Sequence, residues 1–179
     1  LTRAFCEAGK DSVLICPPTF GYFSTAAKIQ GANILEAPLN ADFTWDIPAI
    51  RAQIKAGSPK LVFLCSPNNP TGNSLAEDVI ASLCTDFPET LIVVDEAYIE
   101  FSPHASVVGL RSQHRNLVVT RTLSKVYGLA GVRMGVCIAD PAVIDLMLRV
   151  LPPYPVPLPV EKTVWRALAQ WTRPIHTER

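Results

Sequence analysis

The segment LIVVDEAYIEF (residues 91–101) determines the expected fold, because an apolar run passes directly into a group of polar side chains. Its first part, Leu91–Val94, is apolar at successive positions and rich in β-branched residues, which is typical of a strand buried on both faces of a parallel sheet. Short apolar runs bounded by Pro, Gly, Asn or Asp predict further strands at Ser12–Cys16, Asn33–Ala37, Leu61–Cys65, Leu117–Thr120 and Gly135–Ala139.

Helical patterns alternate with these strands. Apolar residues at helical spacing indicate two of the helices, at Ile47, Ile50 and Ile54 and at Leu75, Val79, Ile80 and Leu83. Asp140 followed by Pro141 combines a capping side chain with a first-turn proline and predicts a helix that continues through Val143–Val150. The alternation predicts the α/β class, as a three-layer α/β/α domain with a mostly parallel central sheet.

Composition and charge exclude several classes of protein. Hydrophobic residues make up 49% of the 179 residues and charged residues 18%, which excludes a disordered tail or a coiled coil. Sixteen basic residues balance sixteen acidic ones, so no positive excess would attract nucleic acid or an anionic membrane. No apolar run reaches the length of about 18 residues that spans a bilayer. We therefore expect no nucleic-acid partner and no membrane partner.

The cysteines and histidines predict neither disulfides nor a metal site. There are five cysteines, widely spaced and without a C-x-x-C pair: Cys6, Cys16, Cys65, Cys84 and Cys137. Several lie inside apolar strand-like runs, so we expect buried, reduced thiols in a reducing intracellular compartment. The three histidines lack metal-ligand spacing and are expected on the surface or in loops: His104, His114 and His176.

The amino-acid composition of the chain changes near residue 151, where prolines become frequent. The stretch LPPYPVPLP (151–159) cannot continue a helix and predicts an extended linker. A last amphipathic pattern follows at Val160, Val164, Leu168 and Trp171. We expect residues 1–151 to form one domain, incomplete at its N-terminus because LTRAFCEAGK reads as the middle of a helix. Residues 152–179 are expected to be a proline-rich linker and the start of a second, truncated domain.

Polar clusters follow three of the predicted strands. These are SPNNPTG (66–72), DEAY (95–98) and RTLSK (121–125), with Arg133 shortly after the last. Each alone could be a turn, a helix cap or a solvated surface, but ligands of parallel-sheet proteins bind beyond the carboxyl ends of the strands, where all three would converge. A lysine, a carboxylate, a phenol and an arginine in one crevice suit pyridoxal phosphate, which needs a Schiff-base lysine and a carboxylate for its ring nitrogen.

The same segments resemble a known enzyme family. PPTFGYF (17–23), SPNNPTG (66–72), VVDEAYIEF (93–101) and RTLSKVYGLAGVRMG (121–135) are similar to motifs of the fold-type-I aminotransferases, and more narrowly of histidinol-phosphate aminotransferases, over roughly residues 1 to 160. The resemblance implies transamination of histidinol phosphate and 2-oxoglutarate to imidazole-acetol phosphate and glutamate, in histidine biosynthesis. It also implies pyridoxal phosphate as cofactor, a cytoplasmic enzyme, an amino donor and a 2-oxo acid as partners, and a homodimer at full length.

The resemblance also implies roles for individual residues around the cofactor ring. Lys125 would be the catalytic residue, bound to the cofactor as a Schiff base and, once freed, acting as the base at the substrate Cα. Asp95 would pair with the ring nitrogen. Asn69 and Tyr98 would hydrogen-bond the 3-hydroxyl oxygen of the ring, and a cis bond is implied between Asn69 and Pro70. Phe20 stands where the family commonly has a stacking tyrosine, so it keeps the ring but not the hydroxyl.

Ser124 and Arg133 are implied to bind the cofactor phosphate, whereas Glu96 and Glu100 receive no role. The family also has a phosphate-binding loop upstream of Leu1, a tyrosine-bearing N-terminal arm and a C-terminal domain whose arginine binds the substrate carboxylate. Without these parts we expect the chain to be weakly active or inactive by itself.

Two sets of alternatives stay open. On the same scaffold, the enzyme could be a threonine-phosphate decarboxylase or an aromatic aminotransferase, because the residues that select the substrate lie mostly outside this stretch of sequence. Alternatively, the chain could be a non-catalytic fragment that associates with a full-length partner through exposed apolar surface.

Overall fold

A six-stranded sheet forms the centre of the molecule. The computed structural model describes residues 1–171. The strands are β1 (Ser12–Ile15), β2 (Asn33–Glu36), β3 (Leu61–Cys65), β4 (Leu91–Asp95), β5 (Leu117–Thr122) and β6 (Gly135–Ile138). Their spatial order is β2-β1-β3-β4-β5-β6, in which the first five run parallel and β6 pairs antiparallel with β5. The predicted, mostly parallel sheet is therefore confirmed.

Helices cover both faces of this sheet. They are α1 (Thr2–Phe5), α2 (Tyr22–Gln30), α3 (Ile47–Gly57), α4 (Glu77–Asp86), α5 (Pro141–Leu148) and α6 (Leu158–Gln170), with short 3-10 segments at Ile99–Phe101, Val107–Ser112 and Ala130–Val132. In β3, Val62 and Leu64 pack into one apolar core with residues of α3 and α4. Leu61 and Phe63 pack into the other core with residues of α2 and α5. This alternation along a fully buried strand confirms the three-layer α/β/α prediction.

Several predicted elements end at positions other than those expected. The strands β1, β2 and β6 each end one residue before the predicted end, at Ile15, Glu36 and Ile138. The strand predicted at Leu117–Thr120 continues to Thr122, because Arg121 and Thr122 pair with the antiparallel strand β6. The helix after Asp140 runs over Pro141–Leu148, and the Asp140 carboxylate accepts a hydrogen bond of 3.0 Å from the Ala142 amide, as its capping role predicts.

The C-terminal part of the described chain is extended and then helical. The proline-rich stretch is exposed as far as α6, where Val164 is the buried residue and Trp165 is 69% exposed. The ring of Trp171 lies 4.8 Å from that of Tyr127, centroid to centroid. The division of the chain at residue 151 stays a prediction. The rest of the predicted second unit, with His176, lies outside the described residues.

Candidate active site

A cavity of about 650 Å³ lies beyond the carboxyl ends of β3, β4 and β5. Each of the sequence-predicted site residues lines it: Phe20, Asn69, Asp95, Tyr98, Ser124, Lys125 and Arg133. The strands bring them together because Cys65 is level with Asp95 in the β3–β4 pair and Asp95 is level with Thr120 in the β4–β5 pair. The loops that leave the three strands therefore start side by side. The predicted convergence on one crevice is confirmed, whereas the role of each residue stays a prediction.

The loop after β3 is tied to the segment that carries Phe20. The buried side chain of Asn68 donates hydrogen bonds to the Pro18 carbonyl (3.0 Å) and to the Thr71 hydroxyl (2.7 Å), and its carbonyl oxygen accepts one from the Thr19 hydroxyl (2.9 Å). The peptide bond between Asn69 and Pro70 is cis, as the resemblance implied. Asn68 thus fixes two walls of the cavity, the one formed by Asn69 and the one formed by Phe20.

Asp95 presents a largely buried carboxylate at the end of β4. Its Oδ1 accepts a hydrogen bond of 3.1 Å from the Ala97 amide. Burial raises the pKa of the Asp95 carboxyl above its ordinary value, although the Ala97 amide and the nearby Lys125 act in the opposite direction. A carboxylate in this position is stabilised by any cation that enters the cavity.

Lys125 lies across the cavity, next to Tyr98. Its Nζ is 5.1 Å from the centroid of the Tyr98 ring, a distance at which an ammonium group is attracted by the face of an aromatic ring. Lys125 itself is exposed at the cavity mouth. The amine is therefore accessible from solvent and also close to the phenol.

The turn after β5 presents donors at one end of the cavity. The Ser124 amide donates to the Thr122 hydroxyl at 3.1 Å. Arg133 has a left-handed backbone with φ of 55°, and its guanidinium donates to the Ala130 carbonyl at 3.0 Å. Gly135 permits close packing here, since a Cβ at this position would lie 2.8 Å from the Arg121 carbonyl oxygen. A hydroxyl and an exposed guanidinium at one end of the site suit an anionic group.

The structure adds residues that sequence reasoning missed. Tyr22, Cys65, Thr120, Arg121 and Thr122 also line the cavity. Arg121 and Thr122 belong to the polar segment RTLSK (121–125), in which only Ser124 and Lys125 were expected to contact a ligand.

Glu96 is a second omission, and the sequence reasoning that gave it no role was incomplete. Its side chain is buried, with 1% of its surface exposed, and it forms an ion pair of 2.9 Å with Arg121. Because the Arg121 side chain comes from a neighbouring strand, this pairing could not be read from the residues around Glu96.

The cysteines and histidines agree with their predicted environments where the structure describes them. All five thiols are free, four of them buried and Cys137 partly buried. His104 is exposed and lines a second cavity of about 600 Å³, which shares Asn69 and Tyr98 with the first. Within residues 1–171, no group of three metal-ligating side chains comes together, and no helix is both long and apolar enough to cross a membrane.

Comparison with known proteins decides the family. The family model described as "Aminotransferase class I and II" matches residues 1–173. The chain belongs to the class I and II aminotransferases. A curated relative, histidinol-phosphate aminotransferase of Aeromonas hydrophila subsp. hydrophila, is 48% identical over 180 aligned positions, which cover 100% of this chain and 50% of the relative. This chain thus spans about half the length of the curated relatives that it matches.

Solved structures of aminotransferases and related enzymes share the fold. The histidinol-phosphate aminotransferase of Sinorhizobium meliloti, solved in complex with pyridoxal-5'-phosphate, superposes with a TM-score of 0.86 at 25% identity, over 94% of this chain and 46% of that one. The L-threonine-O-3-phosphate decarboxylase of Porphyromonas gingivalis superposes with a TM-score of 0.76 at 25% identity, over 92% of this chain and 50% of that one.

Proposed function

We propose that this chain is the cofactor-binding part of a pyridoxal-phosphate-dependent aminotransferase that acts on histidinol phosphate. The observation that carries the proposal is that the largely buried carboxylate of Asp95 and the amine of Lys125 line the same cavity as Asn69, Tyr98 and Arg133. Family membership supports the reaction class, and the name of the relative that is 48% identical supports the substrate.

The donor set of the cavity fits pyridoxal phosphate. Burial raises the pKa of the Asp95 carboxyl above its ordinary value, and a protonated ring nitrogen would be a favourable partner for the ionised form. Asn69 and Tyr98 would hold the hydroxyl oxygen of the ring, Phe20 would cover its face, and Ser124 and Arg133 would hold the phosphate.

Asp95, Lys125 and Tyr98 would each have a separate role in the reaction. When bound, pyridoxal phosphate supplies a conjugated ring that accepts the electron pair released at the substrate Cα. Asp95 would keep the ring nitrogen protonated, which would increase that electron demand. Lys125 takes the proton from Cα, and Tyr98 orients the lysine amine from 5.1 Å away.

Histidinol phosphate would be the amino donor and 2-oxoglutarate the acceptor, in a ping-pong reaction that yields imidazole-acetol phosphate and glutamate. The chain spans about half the length of its curated relatives, so the half-reaction with histidinol phosphate is tested by itself, apart from steady-state turnover.

The test is a stoichiometric reaction rather than a turnover assay. The chain, loaded with pyridoxal phosphate, is mixed with histidinol phosphate, and imidazole-acetol phosphate is measured by mass spectrometry over hours. We expect up to one equivalent of product, none from the Lys125→Ala variant, and less from phenylalanine as donor. A chain that carries the cofactor on Lys125 but yields no keto product from any donor would contradict the proposal.

A second candidate is decarboxylation of threonine phosphate, favoured by the structural similarity to the decarboxylase of Porphyromonas gingivalis. Carbon dioxide released from threonine phosphate, without a keto product, would identify this activity. An aromatic aminotransferase would instead convert phenylalanine faster than histidinol phosphate.

We propose a homodimer for the complete enzyme and a cytoplasmic location. Exposed aromatic side chains near the cavity support an interface there: Tyr22 is 59% exposed and Phe101 58%. The five free thiols are consistent with a reducing compartment. The alternative is that this chain is a non-catalytic fragment that associates with a full-length partner. Size-exclusion chromatography with and without the full-length Aeromonas relative tests this. A stable mixed complex that forms no product would indicate such a fragment.

A further inference from the structure

A network of charged and hydroxyl side chains links the two loops that carry the proposed cofactor contacts. Glu96 and Glu100 lie on the loop after β4, one on each side of Tyr98 in the sequence. Lys125 is flanked in the sequence by Arg121, which lies in the last part of β5, and by Tyr127, which lies on the turn after β5. Side chains of the first pair contact side chains of the second. Two sets of contacts, here called ties, therefore connect the loop after β4 to the end of β5 and the turn that follows it.

The first tie is the ion pair of Glu96 with Arg121. Glu96 Oε2 accepts hydrogen bonds from Arg121 Nε at 3.0 Å and from the Ser106 hydroxyl at 2.6 Å, and Arg121 Nη2 is 2.9 Å from the same oxygen. Glu96 Oε1 accepts a third bond, of 2.8 Å, from the Val107 amide. The carboxylate, with 1% of its side chain exposed, therefore holds β5 and the 3-10 turn at Val107 in fixed positions around the loop after β4.

The second tie is weaker and more exposed. Glu100 Oε1 is 3.7 Å from Arg121 Nη1 and accepts a hydrogen bond of 3.3 Å from the Tyr127 hydroxyl. Because Arg121 bonds to both carboxylates, the two ties form one network. The backbone continues it, since the Glu96 amide donates to the Thr120 carbonyl at 2.8 Å.

Geometry makes this network relevant to Lys125. The lysine lies between Arg121 and Tyr127 in the chain, on a turn at the cavity mouth where it is itself exposed. The bonds that hold that turn against the Asp95 loop come from Arg121 and Tyr127 on its two sides. A shift of a lysine amine by about 1 Å is enough to impair a reaction that depends on its placement.

We propose that Glu96, acting through Arg121, is a positioning residue that sets the place of the Lys125 amine relative to Asp95 and Tyr98. Glu100 and Tyr127 support it as the secondary tie. We assign Glu96 no direct contact with the cofactor, because its carboxylate oxygens already accept hydrogen bonds from Arg121, Ser106 and Val107. This inference rests on the proposed function at one point, namely that Lys125 is the lysine that binds pyridoxal phosphate.

The experiment compares Glu96→Gln, Glu96→Asp and Arg121→Lys with the unchanged chain. A matched control is Arg115→Gln, which breaks the exposed ion pair of Arg115 with Asp140 (2.9 Å), far from the cavity. The first readout is the rate constant for modification of Lys125 by trinitrobenzenesulfonate in the cofactor-free chain, followed across pH by peptide mass spectrometry. The second is the dissociation constant for pyridoxal phosphate. Urea unfolding, measured in parallel, separates loss of stability from loss of positioning.

We expect Glu96→Gln to change the Lys125 rate constant and to weaken cofactor binding by about tenfold. This magnitude lies within the range of coupling free energies between residues of one hydrogen-bonded network. The rate constants of Lys10 and Lys28 should stay unchanged. Glu96→Asp should recover part of the effect, and Arg115→Gln should have none. If Glu96→Gln does not fold, the Arg121→Lys variant takes its place. Lysine keeps the positive charge but cannot donate two hydrogen bonds to Glu96, so this variant must show the same changes in the Lys125 rate constant and in cofactor affinity. A folded variant in which neither the Lys125 rate profile nor cofactor affinity changes would overturn the inference.

The two proposals can fail separately. If the unchanged chain binds no cofactor at Lys125, the proposed function is wrong, and the reactivity of Lys125 in the cofactor-free chain still decides the role of Glu96. If the unchanged chain binds cofactor there, and the Glu96 and Arg121 variants match it in both cofactor affinity and Lys125 rate profile, only the positioning role is wrong.

Discussion

Replacing Asp95 by asparagine should have opposite effects on stability and on cofactor binding. Burial raises the pKa of the Asp95 carboxyl, so its ionised form costs free energy in the folded chain at neutral pH. Asparagine keeps an oxygen for the Ala97 amide, which now donates to Asp95 at 3.1 Å, and removes the charge. We therefore expect Asp95→Asn to raise the free energy of unfolding of the cofactor-free chain at pH 7.

The same change should weaken binding of pyridoxal phosphate. A hydrogen bond between a carboxylate and a protonated ring nitrogen is worth about 1.5–3 kcal/mol, which corresponds to about 10- to 150-fold in the dissociation constant. Stability is measured by urea unfolding followed by tryptophan fluorescence, and binding by titration with pyridoxal phosphate at the same pH.

The pH dependence gives a further check. A folded-state pKa above the unfolded value means that the cost of the ionised Asp95 is complete above the folded pKa and disappears as pH falls below the unfolded one. The stability difference between Asp95→Asn and the unchanged chain should therefore be largest at neutral pH and shrink in acid.

Asp42 provides a matched control for this prediction. Its Oδ1 accepts a hydrogen bond from the amide two residues ahead, that of Thr44 (3.0 Å), in the same local pattern as Asp95. The Thr44 hydroxyl and amide lower the pKa of Asp42, so its ionised form is stabilised and Asp42→Asn should not increase stability. A destabilised Asp95→Asn chain that binds the cofactor as tightly as before would refute the account of this carboxylate.

Three further predictions concern the fold. Asp140→Ala removes the cap on the Ala142 amide and should lower the free energy of unfolding by about 1 kcal/mol, measured by urea unfolding with Asp140→Asn as the control that keeps an acceptor. Ile50→Ala, at a fully buried side chain between α3 and the sheet, should cost about 2–5 kcal/mol, and a cost below 1 kcal/mol would contradict the described core. Burial raises the pKa of the Cys16 thiol to about 12, so a thiol reagent at pH 8 should label Cys16 only after unfolding; rapid labelling in the native chain would contradict this.

Sequence reasoning located the candidate site because its residues lie in short contiguous motifs after apolar strands. Parallel strands end at one edge of the sheet, so Asn69, Asp95 and Lys125 could be placed together without any knowledge of side-chain packing. The two cores could likewise be anticipated, since a strand such as Leu61–Cys65 that is apolar throughout needs cover on both faces.

The features that were missed depend on contacts between distant parts of the chain. The last two residues of β5 are a strand only because β6 returns antiparallel beside them. Glu96 is buried because Ser106, Val107 and Arg121 supply its hydrogen bonds, and none of these is visible in the DEAY motif. Local patterns predict elements and strand ends, whereas an ion pair between a loop and a neighbouring strand is seen only in the folded arrangement.

The central claim is that Lys125 lies in a folded site built for pyridoxal phosphate, and one measurement tests it most directly. The chain is incubated with equimolar pyridoxal phosphate and reduced with borohydride, which fixes a lysine-bound cofactor as a stable amine, and the modified peptide is identified by mass spectrometry. We predict close to one adduct per chain, on Lys125, and its loss in the Lys125→Ala variant. Adducts scattered over surface lysines such as Lys28 and Lys55, or an unmodified Lys125, would contradict the account.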